Sequence, residues 1–86
     1  MYALRIEVAF LEQDEYIEHK HLFGGIQYIF KTVTGRKLSV VRHKFSHGNE
    51  CEQGLYEMAD ITEGKVDVVQ GYLTVNDVIK ILEEER

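Results

Sequence analysis

Proline is absent from this sequence, cysteine occurs once, and no Asp or Glu lies between His19 and Asn49. Each absence excludes something. Without proline the chain has no fixed kinks, which suits compact regular elements joined by glycine turns. The lone Cys51 cannot close an internal disulfide, so a reducing, cytoplasmic setting is expected. No apolar run approaches the roughly 18 residues that cross a bilayer. The opening MYALRIEVAF is broken by charges and lacks the apolar core of a secretory leader. No membrane partner is expected.

The acid-free window is the strongest signal present. Its 31 residues hold Lys20, Lys31, Arg36, Lys37, Arg42 and Lys44, with all four histidines: His19, His21, His43 and His47. The other 55 residues carry all fifteen acids and four basic residues, so a formal charge of −5 conceals a +6 centre between acidic flanks. A segregated positive field attracts phosphates, nucleotides or an acidic protein face. The plain alternative is chance clustering on a solvated face. The acidic total argues against a general DNA-coating protein, which is basic overall.

At 86 residues, 44% hydrophobic and 29% charged, the chain is expected to form one globular domain, 1–86. A chain this short buries only roughly 60–65% of its unfolded surface, which favours homo-oligomerisation.

Tyr2, Leu4, Ile6, Val8 and Phe10 alternate with Ala3, Arg5, Glu7 and Ala9, the period of a half-buried strand. The acidic stretch Leu11–Glu18 reads as a short helix or a charged loop, and Gly24-Gly25 turns the chain. Two β-rich runs, Ile26–Thr34 and Lys37–Phe45, flank Gly35-Arg36, which suits a two-residue type II′ turn. That turn pairs Tyr28 with His43, Phe30 with Val41 and Ile26 with Phe45 on an aromatic core face. The opposite face then holds Gln27, Ile29, Lys31 and Val33 beside Leu38, Val40, Arg42 and Lys44. Four aliphatic residues among cations predict a cover there: the helix, a ligand or a second subunit.

Residues 46–54 read as a polar loop. Leu55–Ile61 and Val66–Gln70 read as strands around the turn Thr62–Lys65, with Gly71 ending the second. Thr74 is a good N-cap, Asp77 follows three residues later, and Val75, Val78, Ile79 and Leu82 recur at helical spacing. A helix over Val75–Glu84 follows, frayed at Glu83-Glu84-Glu85 because these charges oppose its dipole. The predicted fold is α+β: an antiparallel meander of about five strands with one C-terminal amphipathic helix.

The expected ligand site is the cationic hairpin. Arg42 and Lys44 lie two residues apart on one strand face with Gln27, and Lys31 lies diagonally near. His43 and His47 can close the site, and Tyr28 can stack on a base. Arg grips phosphate with a planar fork, and Lys adds a mobile point charge. A metal site at His19 and His21, or at His43, His47 and Cys51, has no standard zinc spacing, so neither metal nor cofactor is expected. His43, Lys44, Ser46 and His47 could serve phosphodiester cleavage, and Cys51 could be a nucleophile, but no specific catalytic motif is present.

The blocks FGGIQYIFKTVTGRKLSVVRHKFSHG, GLYEMAD and GYLTVNDVIKIL resemble those of short bacteriophage- and prophage-encoded proteins. Those carry F-G-x-Q-Y-I-F, then S-V-V-R-H, an aromatic-Ser-x-Gly step, G-L-x-E and G-Y-L-T before a helix. Here the steps fall at Phe23–Phe30, Ser39–His43, Phe45–Gly48, Gly54–Glu57 and Gly71–Thr74. The resemblance implies an accessory phage role in the host cytoplasm, including interference with host defence. The expected function is non-enzymatic capture of an anionic, nucleotide-like small molecule. The alternatives are an inhibitor that binds a host protein through acidic residues 12–18 and 83–85, and a small phosphodiesterase.

Overall fold

The computed structural model describes residues 6–42 and 55–86. Its elements in chain order are α1 (Val8–Leu11), β1 (Tyr16–Leu22), β2 (Gly25–Lys31), β3 (Lys37–Arg42), β4 (Tyr56–Asp60), β5 (Asp67–Leu73) and α2 (Val75–Glu84). The strands form one antiparallel sheet in the order β1-β2-β3-β4-β5, so sequence neighbours are sheet neighbours. This is the expected α+β meander with its helix after the last strand.

The first strand is not where the alternation puts it. Val8–Leu11 is one helical turn, with Glu12 N–H donating to Val8 O at 3.2 Å, rather than the end of a strand Tyr2–Phe10. Residues 2–5 of that expected strand lie outside the described residues. Phe10 supplies the reason. Its buried ring meets Tyr28, Tyr56 and Phe30 edge-on, at centroid distances of 4.9, 5.1 and 5.7 Å. Such packing outweighs a weak local strand preference. The first strand comes instead from Tyr16–Leu22, whose polar residues suit an exposed edge. It joins β2 through Phe23-Gly24, both at positive φ (48° and 76°), as a two-residue type I′ loop requires.

The central hairpin turns on three residues, Val33-Thr34-Gly35, not on Gly35-Arg36. Gly35 N–H donates to Thr32 O at 3.0 Å, and Thr32 N–H donates to Arg36 O at 2.9 Å. Gly35 sits at φ +93°, the left-handed geometry that ends this loop type. The register moves accordingly: Tyr28 pairs with Val40 rather than His43, Phe30 with Leu38 and Ile26 with Arg42. An odd shift exchanges the faces of one strand relative to the other.

Leu38 and Val40 therefore join Ile26, Tyr28 and Phe30 on the core face. Tyr56, Met58 and Leu73 extend it, and Phe10 of α1 with Val78 and Leu82 of α2 cover it. The opposite face carries Ile29, Val41 and Ala59, which are only 5%, 8% and 6% exposed. The expected aliphatic patch of Ile29, Val33, Leu38 and Val40 does not exist, because Leu38 and Val40 are core and Val33 is an exposed loop residue.

Helix α2 starts as expected. Asp77 N–H donates to the Thr74 hydroxyl at 3.1 Å, and Thr74 N–H donates to the Asp77 carboxylate at 3.0 Å. Strand β5 continues through Gly71 to Leu73, and two register shifts against β4 absorb the extra length. The end of α2 is tied down rather than frayed. Glu85 accepts hydrogen bonds from Arg36 Nη1 and, at 2.8 Å, from the Thr34 hydroxyl, while Arg86 pairs with Glu15.

Candidate functional site

Five of the six cations in the acid-free window lie among the described residues, and two of them serve the fold. Arg36 Nε donates to Asp60 Oδ2 at 3.0 Å while its Nη1 reaches Glu85. Asp60 is held near pKa 2 by the hydroxyl and N–H of Thr62 and by Arg36. Arg42 hydrogen-bonds Tyr56 from the core face. Burial pushes the Tyr56 phenol up to about 12 and the Tyr28 phenol also upward, so both stay protonated near neutrality. The Tyr28 hydroxyl accepts from Glu7 N–H at 2.8 Å, and its ring is 1% exposed. Tyr28 is thus a core residue, with no face open for base stacking.

The hairpin does not bring the expected site residues together. Arg42 and Tyr28 lie on the helix-covered face, and Gln27 and Lys31 lie on the other. The cause is the register: a three-residue loop replaces the two-residue turn. His43, Lys44 and His47 lie outside the described residues, as do Ser46 and Cys51. His19 and His21 are exposed on β1, paired with Tyr28 and Ile26, and His19 Nδ1 is hydrogen-bonded to the Tyr16 hydroxyl. Among the described residues, no group of three or more His, Cys, Asp or Glu could hold a metal ion.

The register creates a different pairing. Lys31 and Lys37 stand directly opposite each other at the end of β2 and β3, and both are exposed. The Thr32–Arg36 hydrogen bond makes this neighbouring pair non-hydrogen-bonded, the type in which facing Cα atoms approach to about 4.5 Å. Like charges so placed repel. Among the described residues neither lysine forms an ion pair. Between this pair and Gln27 lie Ile29 and Ser39, themselves facing each other. Gln27 Nε2 donates to Ser39 Oγ at 2.8 Å, and its Oε1 is buried with no hydrogen-bond partner among the described residues.

Around the corner, an open cleft of about 240 Å³ is lined by Asp60, Glu63 and Asp67 beside Arg36 and Lys65. Its carboxylates disfavour anions, and Arg36 is already engaged, so Lys31–Lys37 is the stronger cationic position. Lys37 was legible only through the loop. Reading Gly35 as the left-handed third residue of a Val33-Thr34-Gly35 loop sets Lys31 against Lys37 at once.

Comparison of the chain with protein-family models, with curated proteins and with solved structures finds no match.

Proposed function

We propose that this protein is a non-enzymatic binding protein that captures a nucleotide-like anion between Lys31 and Lys37. The like-charged cross-strand pair supports this reading. Two ammonium groups forced together by the register repel, and a phosphate between them turns the repulsion into two charge-assisted contacts. Lysine supplies point charge rather than a rigid fork, which suits mobile phosphates. The exposed Val33, in the loop that joins the two strands, offers apolar surface beside the charges. The resemblance to phage proteins favours a counter-defence role for such capture, in which a small protein removes an anionic signal.

The rival is an inhibitor that docks acidic residues 12–18 and 83–85 onto a host protein. It is disfavoured because Glu15 and Glu85 are spent on Arg86 and Arg36 within the chain.

Calorimetry against mono-, di- and cyclic nucleotides, with inorganic phosphate and pyrophosphate as controls, tests the proposal. Wild type should bind at least one nucleotide below millimolar concentration, more weakly as salt rises. Lys31→Ala and Lys37→Ala should each cost about 1.5 kcal/mol or more. Absence of binding by the wild type overturns the proposal and leaves the inhibitor as the better reading.

A further inference from the structure

Among the described residues strand β1 is an edge of the sheet. The two-residue loop Phe23-Gly24 makes Leu22 and Gly25 the hydrogen-bonded closing pair of the hairpin. Alternate residues Lys20 and Glu18, opposite Gln27 and Ile29, therefore also direct N–H and C=O toward β2. The central hairpin agrees. Counting inward from the hydrogen-bonded Thr32–Arg36 pair, Ile29 and Gln27 fall in non-hydrogen-bonded pairs with β3, so their peptide groups face β1. The peptide groups of His19 and His21 are left pointing out of the sheet. Residues 17–21 are all exposed.

The other edge is less suited to pairing. Strand β5 carries two register shifts against β4 and places Tyr72 at φ 57°. Such irregularities twist an edge out of line. Strand β1 is regular from Glu18 to Leu22, its single shift lying between Tyr16 and Glu18.

The charge pattern on that regular stretch is Glu18-His19-Lys20, which is its own complement. In a two-fold antiparallel pair centred on His19, Glu18 faces Lys20 of the second copy, and Lys20 faces Glu18. These are non-hydrogen-bonded positions, where side chains come closest. His19 then exchanges both main-chain hydrogen bonds with its own copy. Centring the pair on Lys20 sets Lys20 against Lys20, and centring it on Glu18 sets Glu18 against Glu18. Of these three registers, only the one centred on His19 sets opposite charges against each other.

We infer that two copies of this chain associate edge to edge through β1, centred on His19, into one continuous ten-stranded sheet. The inference does not depend on anion capture. The contact is isologous and closes on itself, so it ends at a dimer rather than a fibre. Lys20 fits both roles of an edge lysine: it deters pairing in other registers and joins an ion pair in this one.

The test is a charge swap read by sedimentation at tens of micromolar, with circular dichroism as the folding control. Wild type should sediment at twice the 10.0 kDa chain mass. Glu18→Lys and Lys20→Glu should each weaken self-association about tenfold or more, because two attractive pairs become repulsive. The double variant Glu18→Lys/Lys20→Glu should restore the dimer. Mixing the two single variants should yield a heterodimer, since each supplies the charge the other lacks. A folded wild type that sediments only as monomer overturns the inference. So do single variants that stay dimeric, or a mixture that does not hetero-associate. Loss of nucleotide binding in dimeric protein would bear on the proposed function alone.

Discussion

Arg86 and Glu15 are 71 residues apart and form a forked ion pair, with Nε 2.8 Å from Oε2 and Nη2 3.0 Å from Oε1. Glu15 is 4% exposed, and its backbone carbonyl accepts from Lys31 N–H at 2.8 Å. One residue thus anchors the end of α2 to the start of the sheet. Arg86→Ala should destabilise the protein and lower its urea midpoint, because it leaves the Glu15 carboxylate unpaired. Solvent around the partly exposed arginine moderates the effect. Arg86→Lys should recover part of the loss, lacking the second prong. Urea midpoints at constant m-value report both.

Stability should fall on acidification below about pH 4, the ordinary carboxylate range. Hydrogen bonding to Arg86 lowers the pKa of Glu15, bonds from Thr62 hold Asp60 at about 2, and the Thr74 backbone lowers that of Asp77. Between the unfolded and folded values the unfolded chain binds more protons. The stabilisation is therefore complete above the unfolded pKa and is lost as pH falls through the folded one. Melting temperatures from pH 5 down to 2 should decline continuously. Asp60→Asn should flatten the most acidic part of that decline. An unchanged slope would mean that Asp60 is equally perturbed in the unfolded chain.

Lys37→Glu separates function from fold. The substitution turns a repelling cross-strand pair into an attractive one opposite Lys31. It should raise stability by roughly 0.2–1 kcal/mol, while nucleotide binding is lost. Chemical denaturation and calorimetry on the same preparation give the two readings. Loss of both would indicate that Lys37 supports the sheet rather than a ligand.

Phe10→Ala should cost about 3–5 kcal/mol. A domain of this size has little stability to spare, so the variant should be largely unfolded at room temperature. Phe10→Leu should fold with a lowered midpoint. Near-ultraviolet circular dichroism is the sensitive measurement, since Tyr28 and Tyr56 lose the ring that packs against them.

Local signals carried α2 and its cap. Thr74, Asp77 and the spacing of Val78 and Leu82 act within a few residues, so the helix Val75–Glu84 is legible without knowing what it touches. The strand-rich runs and the meander were legible for the same reason: alternation and turn residues are short-range. The charge break was visible too, as a fact of composition. What became of those charges was not. A single residue's difference in loop length moved Arg42 onto the face of Tyr28 and set Lys31 against Lys37, because side chains alternate along a strand and an odd shift exchanges faces. The helical turn at Phe10 and the clamps from Arg36 to Glu85 and from Arg86 to Glu15 join residues far apart in the chain. No local propensity encodes such contacts. They form only once the sheet has brought those side chains within reach, and there aromatic packing and paired charges outweigh the weaker preferences of the isolated segments.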